Sequence, residues 1–182
     1  MKYLLLIFSL IILGATACKK DNTSAGGQLP DTSSSGKNFL TCKVNGKVQV
    51  YSGTTSFMTP NGVSYGSYED YVQIFASGTD KYKDIIKIRV NKDSSKNVQT
   101  NIMYYFTDEY GQHFANYYSF PVGLIELDYV TRNRSGWIRF SRLDSVASGT
   151  FEFTAYYDQR SSSRKEPDTI RITEGRFDIS RD

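Results

Sequence analysis

A period of two in hydrophobicity, repeated in short bursts from Phe39 almost to the C-terminus, constrains this chain more than any other feature. In the segment 85–90, Ile86, Ile88 and Val90 share one face, while Lys87 and Arg89 share the other. Successive side chains of a strand point to opposite faces, so this alternation marks a half-buried strand. Phe151, Phe153 and Ala155 alternate in the same way with Glu152, Thr154 and Tyr156. No window sustains the period of an amphipathic helix.

The segments between these bursts carry turn chemistry. Clearest is Asn45-Gly46, set between the apolar-rich stretches 39–44 and 47–51. Asn-Gly accepts the positive φ angles of a type I′ turn, whose twist matches that of the two flanking strands. Thr59-Pro60-Asn61-Gly62 marks a polar loop. Further strands are expected over 71–76, and over 102–106 and 114–120 on either side of the polar turn 108–111. Two more, 124–130 and 137–140, flank a turn at 132–136, and 169–173 is joined to 176–179 around Glu174-Gly175. About nine or ten short strands with regular turns give an all-β fold. The expected architecture is a single antiparallel β-sandwich, with a partly closed β-barrel as the alternative. The polar turns set hairpins, so most strands should be sequence neighbours in the sheet.

The N-terminus is organised differently. Lys2 precedes an apolar run over 3–17 that ends in the small residues Gly14-Ala15-Thr16-Ala17, and Cys18 follows directly. This order reads as a secretory signal peptide, and the cysteine at the cleavage point makes it a lipoprotein signal. A transmembrane span would need about 20 apolar residues, and here Lys19-Lys20-Asp21-Asn22 ends the run early. Residues 1–17 are therefore expected to be removed and Cys18 to carry acyl chains (palmitate among them), each buried methylene adding about 0.8 kcal/mol of membrane affinity. Lys19 follows the cysteine, not the Asp that retains some lipoproteins at the inner membrane, which favours the outer one.

Residues 18–37 are rich in Ser, Thr, Gly and Asp, with Leu29 the one large apolar side chain. Such a segment buries too little surface to offset its ordering entropy and is expected to be a disordered tether, reaching roughly 25 Å. Residues 38–182 then form the single β domain. The chain's 22 basic residues face 19 acidic ones and are scattered, which leaves no electrostatic footprint for nucleic acid.

Several of these stretches bear a resemblance. The start Cys18-Lys19-Lys20-Asp21, the opening Phe39-x-x-Cys42-x-Val44-Asn45-Gly46 and the tail Leu143-Asp144-x-x-x-Ser148-Gly149-Thr150-Phe151-x-Phe153-x-Ala155 resemble a family of Bacteroidota lipoproteins of unknown function. The closing Ile170-x-Ile172-Thr173-Glu174-Gly175-Arg176-Phe177-Asp178-Ile179 adds to that resemblance. It implies export and a β fold, and it carries over no catalytic residues.

The candidates for chemistry are few. Cys42 is left without an intramolecular partner once Cys18 is acylated, and reads as a small buried hydrophobe. His113, the one histidine, reads as a turn or surface residue, since no nucleophile motif accompanies it. Glu126 and Asp128 lie at i, i+2 on one expected strand and point to the same side. Glycosidases need two carboxylates at about 5 to 10 Å, so this pair carries the enzymatic alternative, ahead of the loop pairs Glu69-Asp70 and Asp108-Glu109. No metal or cofactor is expected, because neither a His/Cys cluster nor a calcium loop is present.

The compositional excess is aromatic, with 14 Tyr and 11 Phe. The adjacent pairs Tyr104-Tyr105, Tyr117-Tyr118 and Tyr156-Tyr157 should each put one ring inward and one outward. Tyr104, Tyr117 and Tyr156 represent the expected binding face, where a ring with a hydroxyl meets a sugar or a protein partner. The resulting expectation is a non-enzymatic binding or accessory module, held at the outer membrane by lipid and contacting glycan or another envelope protein. The alternatives are a polysaccharide hydrolase using a carboxylate pair, and a barrel enclosing an apolar ligand.

Overall fold

The computed structural model describes residues 35–55, 61–78, 84–93, 97–107, 112–119, 127–158 and 169–181. All regular structure among them is β: β1 (Phe39–Val44), β2 (Lys47–Ser52), β3 (Gly62–Ser67), β4 (Tyr71–Ser77), β5 (Ile85–Asn91), β6 (Met103–Tyr105), β7 (His113–Ser119), β8 (Leu127–Leu143), β9 (Val146–Tyr157) and β10 (Thr169–Ser180). They form one antiparallel sheet in the order β2-β1-β10-β9-β8-β7-β5-β4-β3, with β6 joined to β8 beside this path. The sheet rolls until its two ends meet. Because neighbours alternate in direction along this path, its ends β2 and β3 run the same way, and a lone parallel bridge, Thr54 to Val63, joins the chain there. The result is a barrel closed except at one seam, the all-β architecture that the alternation implies.

The β1–β2 hairpin forms where Asn-Gly demands it: Asn45 has φ 48° and Gly46 has φ 82°. Alternation likewise positions β4 and β5, whose inward residues Val72, Ile74, Ala76, Ile86, Ile88 and Val90 are all buried.

Two expected hairpins are instead single strands. β8 runs 17 residues straight through 132–136, and β10 runs 12 residues through Glu174-Gly175. Their turn-forming residues make bulges. In β8 the register with β9 shifts between Thr131 and Gly136, and the Arg132 N–H bonds Ser135 Oγ at 2.9 Å. In β10 it shifts between Ile172 and Gly175. Each bulge changes the parity of the alternation. Thus Ile170 and Ile172 before the β10 bulge, and Phe177 and Ile179 after it, all face the core. A hairpin at either site would have separated these residues.

Two further differences concern partners. β6 pairs with β8, Tyr104 opposite Ile138 and Tyr105 opposite Trp137, and not with β7 across the 108–111 turn. β3, which no strand reading covered, arises because Val63 and Tyr65 are buried inside the seam. Rings fill the interior from β6 to β10. Phe106 meets Phe153 edge-on at 5.8 Å, Phe140 meets Phe177 at 5.7 Å, and Tyr129 tilts against Tyr157 at 5.6 Å.

Candidate functional site

At one end of the barrel the last residues of β5, the segment 97–102, Tyr104 and the start of β7 enclose a cleft of about 520 Å3. Its walls are built by backbone pairing. The Asn91 N–H bonds the Gln112 carbonyl at 3.0 Å, and the His113 carbonyl accepts the Thr107 N–H at 2.7 Å. Thr107 Oγ1 donates to the same carbonyl at 3.0 Å. The Tyr104 hydroxyl accepts the Gln99 N–H at 2.6 Å, which holds segment 97–102 over the opening.

Four carboxamides, Asn91, Asn97, Gln99 and Gln112, line the cleft beside Lys92, Asp93 and the apolar Val98 and Ile102. The Arg89 Nε–H bonds Asn91 Oδ1 at 2.9 Å, so one of these amides is pre-oriented. The Tyr104 ring and His113 meet edge to face at 5.2 Å.

His113 is half-buried on β7, opposite Val90, and not on a surface turn as its sequence context suggests. Its Nδ1 is buried without a hydrogen-bond partner. Burial lowers its pKa below the ordinary imidazole value, and the nearby Gln112 carbonyl opposes this without reaching hydrogen-bonding geometry at Nδ1. The ring is therefore neutral at pH 7.

Tyr104, Tyr117 and Tyr156 are not brought together. Each tyrosine pair does split across the sheet, but the three rings lie in three places. Tyr104 is half-buried against the cleft. Tyr117 points into the barrel and is buried, so it presents nothing to a surface partner. Tyr156 is half-buried on the outer face beneath the Arg132 guanidinium, 4.6 Å from its ring centre. Tyr117 belongs instead to an interior polar cluster, where its hydroxyl and Ser119 hydrogen-bond the Asp84 carboxylate. Burial raises the Asp84 pKa, and those two hydrogen bonds oppose the rise. Tyr51, whose hydroxyl is buried without a partner, and Cys42 lie within electrostatic range of Asp84.

Of the carboxylate candidates, Asp128 is half-buried on β8 opposite Tyr118. Glu126, Asp108 and Glu109 lie outside the described residues, as does Cys18. Glu69 and Asp70 are exposed in the turn between β3 and β4. Among the described residues, no group of three His, Cys, Asp or Glu side chains gathers as metal ligands would.

The carboxamide lining escaped sequence reading because its members come from the end of β5, an irregular segment and the start of β7. Nothing in the local pattern of Asn or Gln distinguishes a cleft wall from a loop. No family model, curated protein or solved structure matches the chain.

Proposed function

We propose that the protein is an exported lipoprotein, anchored at the outer membrane through Cys18, whose β domain is a non-catalytic module binding glycan in the Tyr104–His113 cleft. The observation that carries this reading is the lining itself. A carboxamide offers a carbonyl acceptor and two N–H donors, which suits hydroxyl groups that donate and accept at once. Four such groups, beside one aromatic ring, match a polyhydroxylated ligand better than a charged or purely apolar one. His113 Nδ1 supports the same reading. A buried polar atom without a partner costs about 1–3 kcal/mol, and a ligand hydroxyl placed in the cleft would remove that cost. The volume also falls within the range of about 300–1,000 Å3 usual for small-ligand sites.

Calorimetric titration of the intact chain, purified in detergent, with cellohexaose, chitohexaose and tetragalacturonate tests the reading. Gln112→Ala and His113→Ala are expected to weaken binding to at least one of them. If none binds, the glycan reading fails. Turnover of any of these sugars that is lost in Asp128→Asn would favour the hydrolase alternative. The anchoring component is tested separately: Cys18→Ser should release the protein from membranes, and retention after a carbonate wash would overturn it.

A further inference from the structure

On the outer face of the sheet, across β6 from the cleft, Tyr105 and Trp137 stand side by side as a cross-strand pair. Tyr105 is 54% exposed. The Trp137 indole N–H donates to Glu152 Oε1 on β9 at 2.9 Å, which fixes the larger ring. Together with Arg134 and Arg171 these side chains line a groove of about 220 Å3.

The backbone around this groove is strained on both sides. Arg134 at φ 56° and Glu174 at φ 54° are non-glycine residues in the left-handed region. Such conformations persist only where the surroundings impose them, and they concentrate at ligand sites. Here the β8 bulge imposes the first. The Arg134 N–H is tied to the Phe106 carbonyl at 2.8 Å, and the Phe106 N–H to the Gly136 carbonyl at 2.9 Å. A Cβ on Gly136 would lie 2.3 Å from the Glu152 carbonyl oxygen, so only glycine lets β8 approach β9 closely beside Trp137. Bulges re-aim side chains, and this one brings Arg134 to the edge of the aromatic pair.

We propose that this groove is a second saccharide contact, in which one pyranose ring stacks on Tyr105 and Trp137. A pyranose has an apolar C–H face and a rim of hydroxyls. The faces of the two aromatic rings suit that C–H face, the guanidinium forks of Arg134 and Arg171 suit the rim, and Glu152 adds an acceptor. Protein interfaces also enrich Tyr, Trp and Arg, but a stable one engages about 20–30 residues a side, whereas this groove of about 220 Å3 is sized for a single ring. The inference rests on the glycan reading above and assigns that ligand a contact outside the cleft.

Trp137 is the sole tryptophan of the chain, so its emission reports on this groove alone. The intact chain in detergent is titrated with cellohexaose, chitohexaose and tetragalacturonate while tryptophan emission and heat are followed in parallel. The expected result is a saturable emission shift with at least one sugar. Tyr105→Ala and Arg171→Ala, both at exposed positions, should each weaken that binding by about tenfold or more. Gln112→Ala in the cleft should preserve the shift at saturation. Heat of binding without any emission change, and unaltered by Tyr105→Ala, would overturn the groove while leaving the cleft reading intact. Absence of binding by both methods would overturn both. A groove that engages a purified envelope protein and no sugar would overturn this inference as well.

Discussion

The Asp178 carboxylate accepts the backbone N–H of Gly36 at 2.8 Å, so the chain entering the β domain is fastened to its last strand. The N–H groups of Ser35 and Lys37 bond the other carboxylate oxygen, each at 3.2 Å. Asn38 reciprocates, its Oδ1 accepting both the N–H and the hydroxyl of Ser180 at 2.8 Å. Three successive N–H groups converge on one anion because Gly36 adopts φ 74°, a conformation that glycine enters freely. The tether expected before residue 38 therefore joins the barrel through a fixed clamp.

Asp178 is fully buried, whereas Ser35 and Lys37 are exposed and Gly36 is half-buried. Asp178→Ala would therefore remove three hydrogen bonds to a carboxylate and leave their N–H groups to water. The expected loss is about 1–3 kcal/mol, read from the urea midpoint, with faster hydrogen exchange at residues 35–37. An unchanged midpoint together with unchanged exchange would show that the clamp contributes nothing.

Gly46→Val isolates the conformational demand of the β1–β2 turn. A Cβ at this position would meet nothing within 4 Å, so no clash confuses the result. Only the left-handed φ of 82° is at stake, and for a β-branched residue the cost is about 1–3 kcal/mol. Gly46→Asn should lose less, because Asn tolerates that region. Equal melting temperatures for Val and Asn would contradict this account.

Cys42 is buried, and desolvation pushes its thiol up to about 12, with the Asp84 charge adding to the rise. The thiolate is the reactive species, so the folded protein should resist disulfide-exchange reagents at neutral pH. Labelling should proceed at the rate of unfolding and accelerate in denaturant. Rapid labelling of the folded chain in the Cys18→Ser background, where Cys42 is the one remaining thiol, would show an accessible site.

His113 makes stability depend on pH in a definite direction. Its folded pKa is depressed below 6.5, so the unfolded chain takes up a proton first as pH falls. Its contribution is complete above pH 6.5 and is lost as pH falls through the folded value. Asp84 acts in the opposite sense. Its pKa is raised from 3.8, so its contribution is complete below that value and is lost as pH rises through the folded one. Comparing the wild type with His113→Gln removes only the first effect. The wild type should lose stability relative to the variant over the range of pH below 6.5, where the unfolded chain's imidazole protonates first. Parallel denaturation midpoints across that range would show that His113 is not buried as a neutral ring.

What the sequence alone determined is what neighbouring residues decide among themselves. Which side chains of β4, β5 and β9 share a face follows from the geometry of a single strand, and the β1–β2 turn follows from the φ preferences of Asn45 and Gly46. Each tyrosine pair splits across the sheet for the same local reason, although the pairs alone did not say which member faces inward. Partnership and closure needed the whole fold. Arg132–Gly136 and Glu174-Gly175 carry the chemistry of turns, but burying Ile138 and Phe140 together with Tyr129, and Phe177 and Ile179 together with Ile172, makes them bulges in continuous strands. That choice lets β6 pair with β8, places Tyr105 beside Trp137 and leaves Tyr104 facing His113. Alternation encodes a face, whereas a cleft wall or an aromatic platform is assembled from strands distant in sequence, whose meeting depends on how the sheet rolls and where its bulges reset the pattern.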